Sequence, residues 1–254
     1  MNEKDELTLS LKRLKLPGMA YNFDLRVKEA KENDLGYLEF LTFLVQDEMV
    51  SRNANILEKR IRSAGFTDHS TFEEFDFLFN KDAIPAAVIR DFATCSFIDK
   101  LENLIICGPP GIGKSHIAQA IGHEACRRHM EVTYRKTSKL IEELLDPLYP
   151  KRAARLLKNA VSCKLLILDD FAFRKYNQRE SEVLYTIADE RIGKKSTIIT
   201  SNRPPEDWYS VFPDPVIGQA ILDRLVSPAI KVLTTKGRSY RKEHKKSVAE
   251  NSKQ

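Results

Sequence analysis

Asn103-Leu-Ile-Ile-Cys-Gly-Pro-Pro-Gly-Ile-Gly-Lys-Ser115 decides the fold. An apolar run ends at Cys107, a glycine-rich turn follows, and Ser115 opens an amphipathic stretch that continues to Arg128. Gly108, Gly113, Lys114 and Ser115 match G-x-x-x-x-G-K-[ST], set between a strand and a helix as that pattern requires. Its glycines let backbone N–H groups turn inward onto phosphate oxygens, and the positive end of the following helix adds to their field. The whole turn, Gly108, Pro109, Pro110, Gly111, Ile112, Gly113, Lys114, Ser115 and His116, is therefore expected to hold the phosphates of ATP. Lys114 would bridge the β- and γ-phosphates, and the Ser115 hydroxyl would reach Mg²⁺.

Downstream, Leu165-Leu-Ile-Leu-Asp-Asp170 reads as a buried strand ending in two carboxylates. Asp169 is placed to hold Mg²⁺ through its waters. Asp170 is either a general base that orients the attacking water or a polar strand end facing solvent. Asn202 follows the strand Thr197-Ile-Ile-Thr-Ser201; its amide either faces the γ-phosphate or the water, or forms an ordinary turn. Val132-Thr-Tyr134 supplies a further strand, and Leu140 to Leu145 and Glu182 to Arg191 supply helices. This alternation predicts an α/β fold, a parallel sheet flanked by helices.

Upstream the texture differs. From Leu7 to about Arg62 apolar residues recur every three or four positions, as in Met19, Phe23, Val27 and Ala30, with breaks at Pro17-Gly18 and at Asn33-Asp34-Leu35-Gly36. These are two or three helices that need a partner for their apolar faces. The stretch from Ser63 to Pro85 carries Phe72, Phe75 and Phe77, too many aromatics for a free tether, and is expected to pack locally. The expected plan is a small all-α domain over 1–80 that binds a partner, an ATPase domain over 81–245 and a polar basic tail over 246–254.

The net charge of +5 permits a polyanionic partner without demanding one. Basic groups gather at Lys151, Arg152, Arg155 and Lys158, and again from Lys236 through Arg238 to Lys246. Such runs either neutralise nucleic-acid phosphates or are solvated faces. Cys95, Cys107, Cys126 and Cys163 lie far apart, without zinc-ligand or disulfide spacing. A charged N-terminus and the absence of a run of roughly 20 apolar residues predict a cytoplasmic protein with no membrane partner.

Leu104-Ile-Ile-Cys-Gly-Pro-Pro-Gly-Ile-Gly-Lys-Ser-His-Ile-Ala118, Asp169-Asp170 and Ser196-Thr-Ile-Ile-Thr-Ser-Asn202 resemble the IstB family of AAA+ ATP-binding helper proteins of insertion sequences. So do Leu14-Lys-Leu-Pro-Gly-Met19, Glu39-Phe-Leu41, Ile221-Leu-Asp-Arg-Leu225 and Lys236-Gly-Arg-Ser-Tyr-Arg241. A more distant similarity is to DnaC-type helicase loaders. The resemblance implies an ATPase that assembles as a homo-oligomer on double-stranded DNA without strong sequence preference and recruits or activates a transposase through its N-terminal domain. It implies that Asn202 is sensor one, that Arg224 is an arginine finger for a neighbouring subunit and that Arg241 is sensor two. A helicase loader, and a nucleotide-gated DNA-binding scaffold with negligible hydrolysis, are the alternative functions. The family pattern has Asp-Glu where this chain has Asp169-Asp170, and the chain after Asn202 leaves little room for a lid. Slow hydrolysis, stimulated by DNA or a partner, and a short or absent lid are expected.

Overall fold

The computed structural model describes residues 3–243 except 82, 228 and 235; the predicted tail over 246–254 lies outside the described residues. The chain divides into two compact units, with the boundary between Lys59 and Arg60. Residues 60–80, grouped by sequence with the helical segment, fall in the second unit. Their aromatic side chains account for this: Phe66 stacks on His123 and Phe75 tilts against His116, both within that unit.

The first unit contains α1 (Glu3–Arg13), α2 (Pro17–Glu32) and most of α3 (Tyr37–Ala64). The break expected at Pro17-Gly18 lies between α1 and α2, and Pro17 itself opens α2, where its missing N–H is no loss and its fixed φ suits the first turn. Leu16 offers no side-chain cap. The orphan N–H groups of Gly18 and Met19 donate instead to Glu48 of α3, at 2.8 and 3.2 Å. Position 18 must be glycine for this contact, since a Cβ there would lie 2.6 Å from the Asp47 carbonyl. Arg26 forks onto Asp47 with two bonds of 2.7 Å, and Phe23 meets Phe40 edge to face.

The second unit adds α4 (Ala86–Ala93), α5 (Ser96–Asp99), β1 (Asn103–Cys107), α6 (Lys114–Arg127), β2 (Val132–Lys136), α7 (Thr137–Leu145), α8 (Pro150–Ser162) and β3 (Leu165–Asp169). It continues with α9 (Gln178–Arg191), β4 (Ser196–Ser201), a 3-10 turn (Pro205–Val211), α10 (Pro215–Val226) and β5 (Ala229–Leu233). The five strands form one parallel sheet in the order β2-β3-β4-β1-β5. β1, β3 and β4 are buried along their whole length, which is why they read as continuous apolar runs. A core of Leu140, Leu156, Leu168, Phe171, Leu184, Trp208 and Ile221 joins the sheet to α7, α8, α9 and α10. All four cysteines are buried and unpaired, and burial pushes the Cys107 thiol up to about 12. Among the described residues no helix is long and apolar enough to cross a membrane.

Candidate nucleotide site

In open parallel sheets ligands bind beyond the carboxyl ends of the strands. β1 ends at Cys107, β3 at Asp169 and β4 at Ser201, and the order of the sheet sets these three ends side by side. A cavity of about 540 Å³ opens there. Its lining includes Pro110 to His116 from the turn, Asp169 and Asp170 from the end of β3, and Asn202 from the end of β4. Gly108 and Pro109 contribute through their carbonyls, which accept from Lys114 Nζ at 2.8 and 2.9 Å. The third bond of that ammonium goes to Asn202 Oδ1, at 2.7 Å. Desolvation lowers the Lys114 pKa, offset in part by the charges of Asp170 and Asp169.

The turn takes its shape from Gly111 (φ +84) and Gly113 (φ +102), left-handed positions where a side chain would be strained. Space matters as well: a Cβ on Gly111 would sit 2.3 Å from Ser239 Oγ.

Asp169 is 1% exposed. Its Oδ2 accepts from the Tyr134 hydroxyl at 2.8 Å, its Oδ1 accepts from the Thr200 hydroxyl, and its backbone carbonyl accepts from Thr137 Oγ1 at 2.9 Å. Among the described residues it forms no ion pair, so the surrounding donors are all neutral. A buried, hydroxyl-oriented carboxylate with no salt bridge among the described residues, lining the same cavity as Ser115, suits a divalent metal ion of the hard, oxygen-binding type. Asp170 is bent into the left-handed region (φ 53), and its N–H donates to Thr200 Oγ1 at 3.1 Å. Its carboxyl is raised above the usual carboxylate range by desolvation and then by the charge of Asp169; Lys136, with Nζ 3.9 Å away, opposes the shift.

Two walls of this cavity come from outside the strand ends and the phosphate turn. One is the segment 67–80, which presents Thr67, Phe75, Phe79 and Asn80. The other is a strap following β5 that presents Tyr240 and Arg241. The strap is fixed to the phosphate turn by a bond of 3.0 Å from Tyr240 N–H to the Gly111 carbonyl. It is also fixed to the first wall: Asn80 Nδ2 donates to the Arg238 carbonyl, and Arg238 N–H donates to Asn80 Oδ1, both at 2.9 Å. Aromatic density around Phe72 to Phe79 was the available sign of the first wall; the sign of the second was the resemblance, which named Arg241, and the structure brings that residue to the cavity.

Arg224 stands apart from the cavity. On α10 it pairs with Asp189 of α9 at 2.8 Å, donates to the Tyr185 hydroxyl at 3.2 Å and lies over that ring, with its centre 4.8 Å away. Of the basic candidates, Lys151, Arg152, Arg155 and Lys158 are all exposed on α8, with Arg152 3.4 Å from Glu143. Lys236 is exposed, whereas Arg238 turns back to the Phe79 carbonyl and ring.

A phosphate turn at the end of β1, an acidic pair at the end of β3 and a polar side chain beyond the intervening β4 meet at one cavity of a P-loop protein with the AAA+ fold. The solved structures it resembles carry that fold: DnaI (TM-score 0.55, 21% identity, 70% of this chain and 94% of that one) and AMPPCP-bound DnaA from Aquifex aeolicus (TM-score 0.55, 21% identity, 73% and 56%). The DnaC helicase loader is a third (TM-score 0.51, 22% identity, 59% and 87%). The chain belongs to the IstB-like ATP binding protein family, whose model matches residues 9–248. It is 39% identical over 233 residues, 91% of this chain and 92% of the relative, to a Mycobacterium tuberculosis protein described as an ATP-binding protein in an insertion sequence. To the IS21 ATP-binding protein of Pseudomonas aeruginosa it is 34% identical over 241 residues, 95% and 90% of the two chains.

Proposed function

We propose that this protein is an ATP-dependent regulator of DNA transposition that hydrolyses ATP slowly, assembles on double-stranded DNA and presents that DNA to a transposase. The observation that carries the ATPase reading is the meeting of Lys114, Ser115, Asp169, Asp170, Asn202 and Arg241 in one cavity. Fixed N–H groups and cations aimed at a phosphoryl group supply most of what its transfer needs. Ser115 and Asp169 would hold Mg²⁺, which neutralises charge between the β- and γ-phosphates when bound. Asp170 would take the proton of the attacking water, and Asn202, with its oxygen on Lys114, would turn its NH₂ toward the γ-phosphate. Arg241 would meet the same phosphate from the strap.

The remaining roles rest on surface chemistry. Four exposed cations on α8 favour contact with a nucleic-acid backbone, and no base-reading motif accompanies them. In the first unit α3 leaves Tyr37, Leu41, Val45 and Met49 exposed at four-residue spacing, an apolar stripe suited to a protein partner such as a transposase. Arg224 would act as a finger toward a neighbouring subunit only by leaving Asp189 and Tyr185.

One observation favours a nucleotide-gated scaffold instead. Asp170 is bent out of the strand, raised in pKa and short of the reach of a glutamate, and Arg224 is held by its own chain. Phosphate release at low salt, with and without generic double-stranded DNA and alongside Lys114→Ala, separates the two. DNA-stimulated turnover absent from the variant supports the regulator; ATP-dependent DNA binding without turnover supports the scaffold.

A further inference from the structure

Tyr134 belongs to no motif, yet its hydroxyl holds the one carboxylate best placed for a metal ion. It is 2% exposed in β2, opposite Ile167 of β3, two positions before the Lys136–Asp169 pair in the register. From there its hydroxyl reaches Asp169 Oδ2 at 2.8 Å, while Thr200, from β4 on the other side of β3, donates to Oδ1. A carboxylate offers about four lone-pair directions. Two hydroxyls arriving from opposite flanking strands fix the plane of the group and leave its other lone pairs for the cavity, which Tyr134 and Asp169 both line.

A tyrosine serving only to fill the core would need some acceptor for its hydroxyl, and a strand-end carbonyl would do. Here the acceptor is a buried carboxylate that forms no ion pair among the described residues. Such a group is expensive in a low dielectric, and neutral donors relieve only part of the penalty. The charge of Lys114 relieves some of the remainder, a divalent cation would relieve more, and the two hydroxyls decide how the oxygens meet it.

We infer that Tyr134 is a positioning residue for Mg²⁺: by holding Asp169 Oδ2 against the pull of Thr200 on Oδ1, it sets the metal affinity of the nucleotide site. This rests on the reading of the cavity as a Mg²⁺–ATP site. Groups that orient a metal-binding carboxylate typically change metal affinity by about 10- to 100-fold when removed.

The test is binding of a fluorescent ATP analogue to the full chain, in EDTA and across a Mg²⁺ titration. In Tyr134→Phe the Mg²⁺ midpoint is expected to rise about tenfold, the low end of that range, with binding in EDTA unchanged. Thr200→Val should shift the midpoint in the same direction, and Thr200→Ser, which keeps the hydroxyl, should restore it. An unchanged midpoint in Tyr134→Phe overturns the inference, as does a parallel loss in EDTA and in Mg²⁺, the signature of a purely structural role. Tyr134→Met, which also lacks the hydroxyl, carries the decision if Tyr134→Phe fails to fold. Wild-type binding that ignores Mg²⁺ refutes the metal-site reading itself, and the positioning role with it.

Discussion

Replacing Arg191 by methionine should destabilise the second unit while leaving the nucleotide site chemically intact. Arg191 is the last residue of α9 and is 2% exposed. Its guanidinium donates to the carbonyls of Ala160 (2.8 Å), Cys163 (3.0 Å) and Val161 (3.3 Å), to Thr197 Oγ1 (3.0 Å) and to the Ser196 carbonyl. Ala160 and Val161 lie in the last turn of α8, so a buried cation closes that helix and ties it to β4. Methionine fills a similar volume but leaves these carbonyls without donors. At about 1–3 kcal/mol per orphaned buried group, with partial relaxation, the loss should be about 3–5 kcal/mol. Against a typical total of about 5–15 kcal/mol, that is a large fraction. Roughly 2–4 °C per kcal/mol for a domain of this size gives a Tm lowered by about 6–20 °C. Thermal and urea unfolding followed by circular dichroism would measure it, with Arg191→Lys as an intermediate because one ammonium lacks the fork. A loss below about 1 kcal/mol would refute the reasoning, since the buried carbonyls would then have found other partners.

Other consequences concern the site. Removing the Lys114 ammonium takes away a charge-assisted contact worth about 1.5–3 kcal/mol, so Lys114→Ala should weaken ATP binding by roughly 10- to 150-fold in an equilibrium titration. Gly111→Ala forces an L side chain into the left-handed region, a strain of about 1–2 kcal/mol, and pushes on Ser239; ATP affinity should fall even where the melting temperature barely moves. If Asp170 is the base, its deprotonated form is lost as pH falls through a pKa raised above the usual carboxylate value. The acid limb of the phosphate-release profile should therefore lie above the usual aspartate range and move higher still in Lys136→Met, because Lys136 favours the ionised form. Lys151→Ala with Arg155→Ala should weaken binding to all DNA sequences alike and reduce the salt slope by about one per lost phosphate contact, readable from anisotropy at several salt concentrations.

Local chemistry was legible where a short stretch carries its own instructions. β1, the phosphate turn and α6 follow from Asn103 to Arg128 because glycine placement and apolar periodicity act within a few residues. β3 and β4 are equally plain, since strands buried on both faces must be apolar throughout. β5 was missed for the converse reason: at the sheet edge its residues are only half-buried or exposed, and Lys231 interrupts the apolar pattern. The helix α8 was visible only as a set of charges, although Leu156 and Ala160 on its other face enter the core. Contacts made across long separations left no trace in the sequence. Asn80 with Arg238, Tyr134 with Asp169 and Arg224 with Asp189 join residues whose types are common and whose spacing means nothing until the strand order is known. The resemblance pointed to Arg224 as a finger but could not show that Asp189 and Tyr185 occupy its guanidinium.

The strap that joins Asn80 and Gly111 to residues near 240 has a bearing on how the protein is made. β1 pairs with β4 and β5, both of which follow it in the chain, and the second wall of the cavity comes later still. A growing polypeptide exposes its phosphate turn long before these neighbours exist; at about 5–20 residues per second the delay is roughly ten seconds. Until β4 has been made the turn has no flanking strand on either side to hold its shape. Competence for nucleotide therefore waits until residues near 240 have been made, and a chain released before them would carry the glycine-rich motif without a working pocket around it.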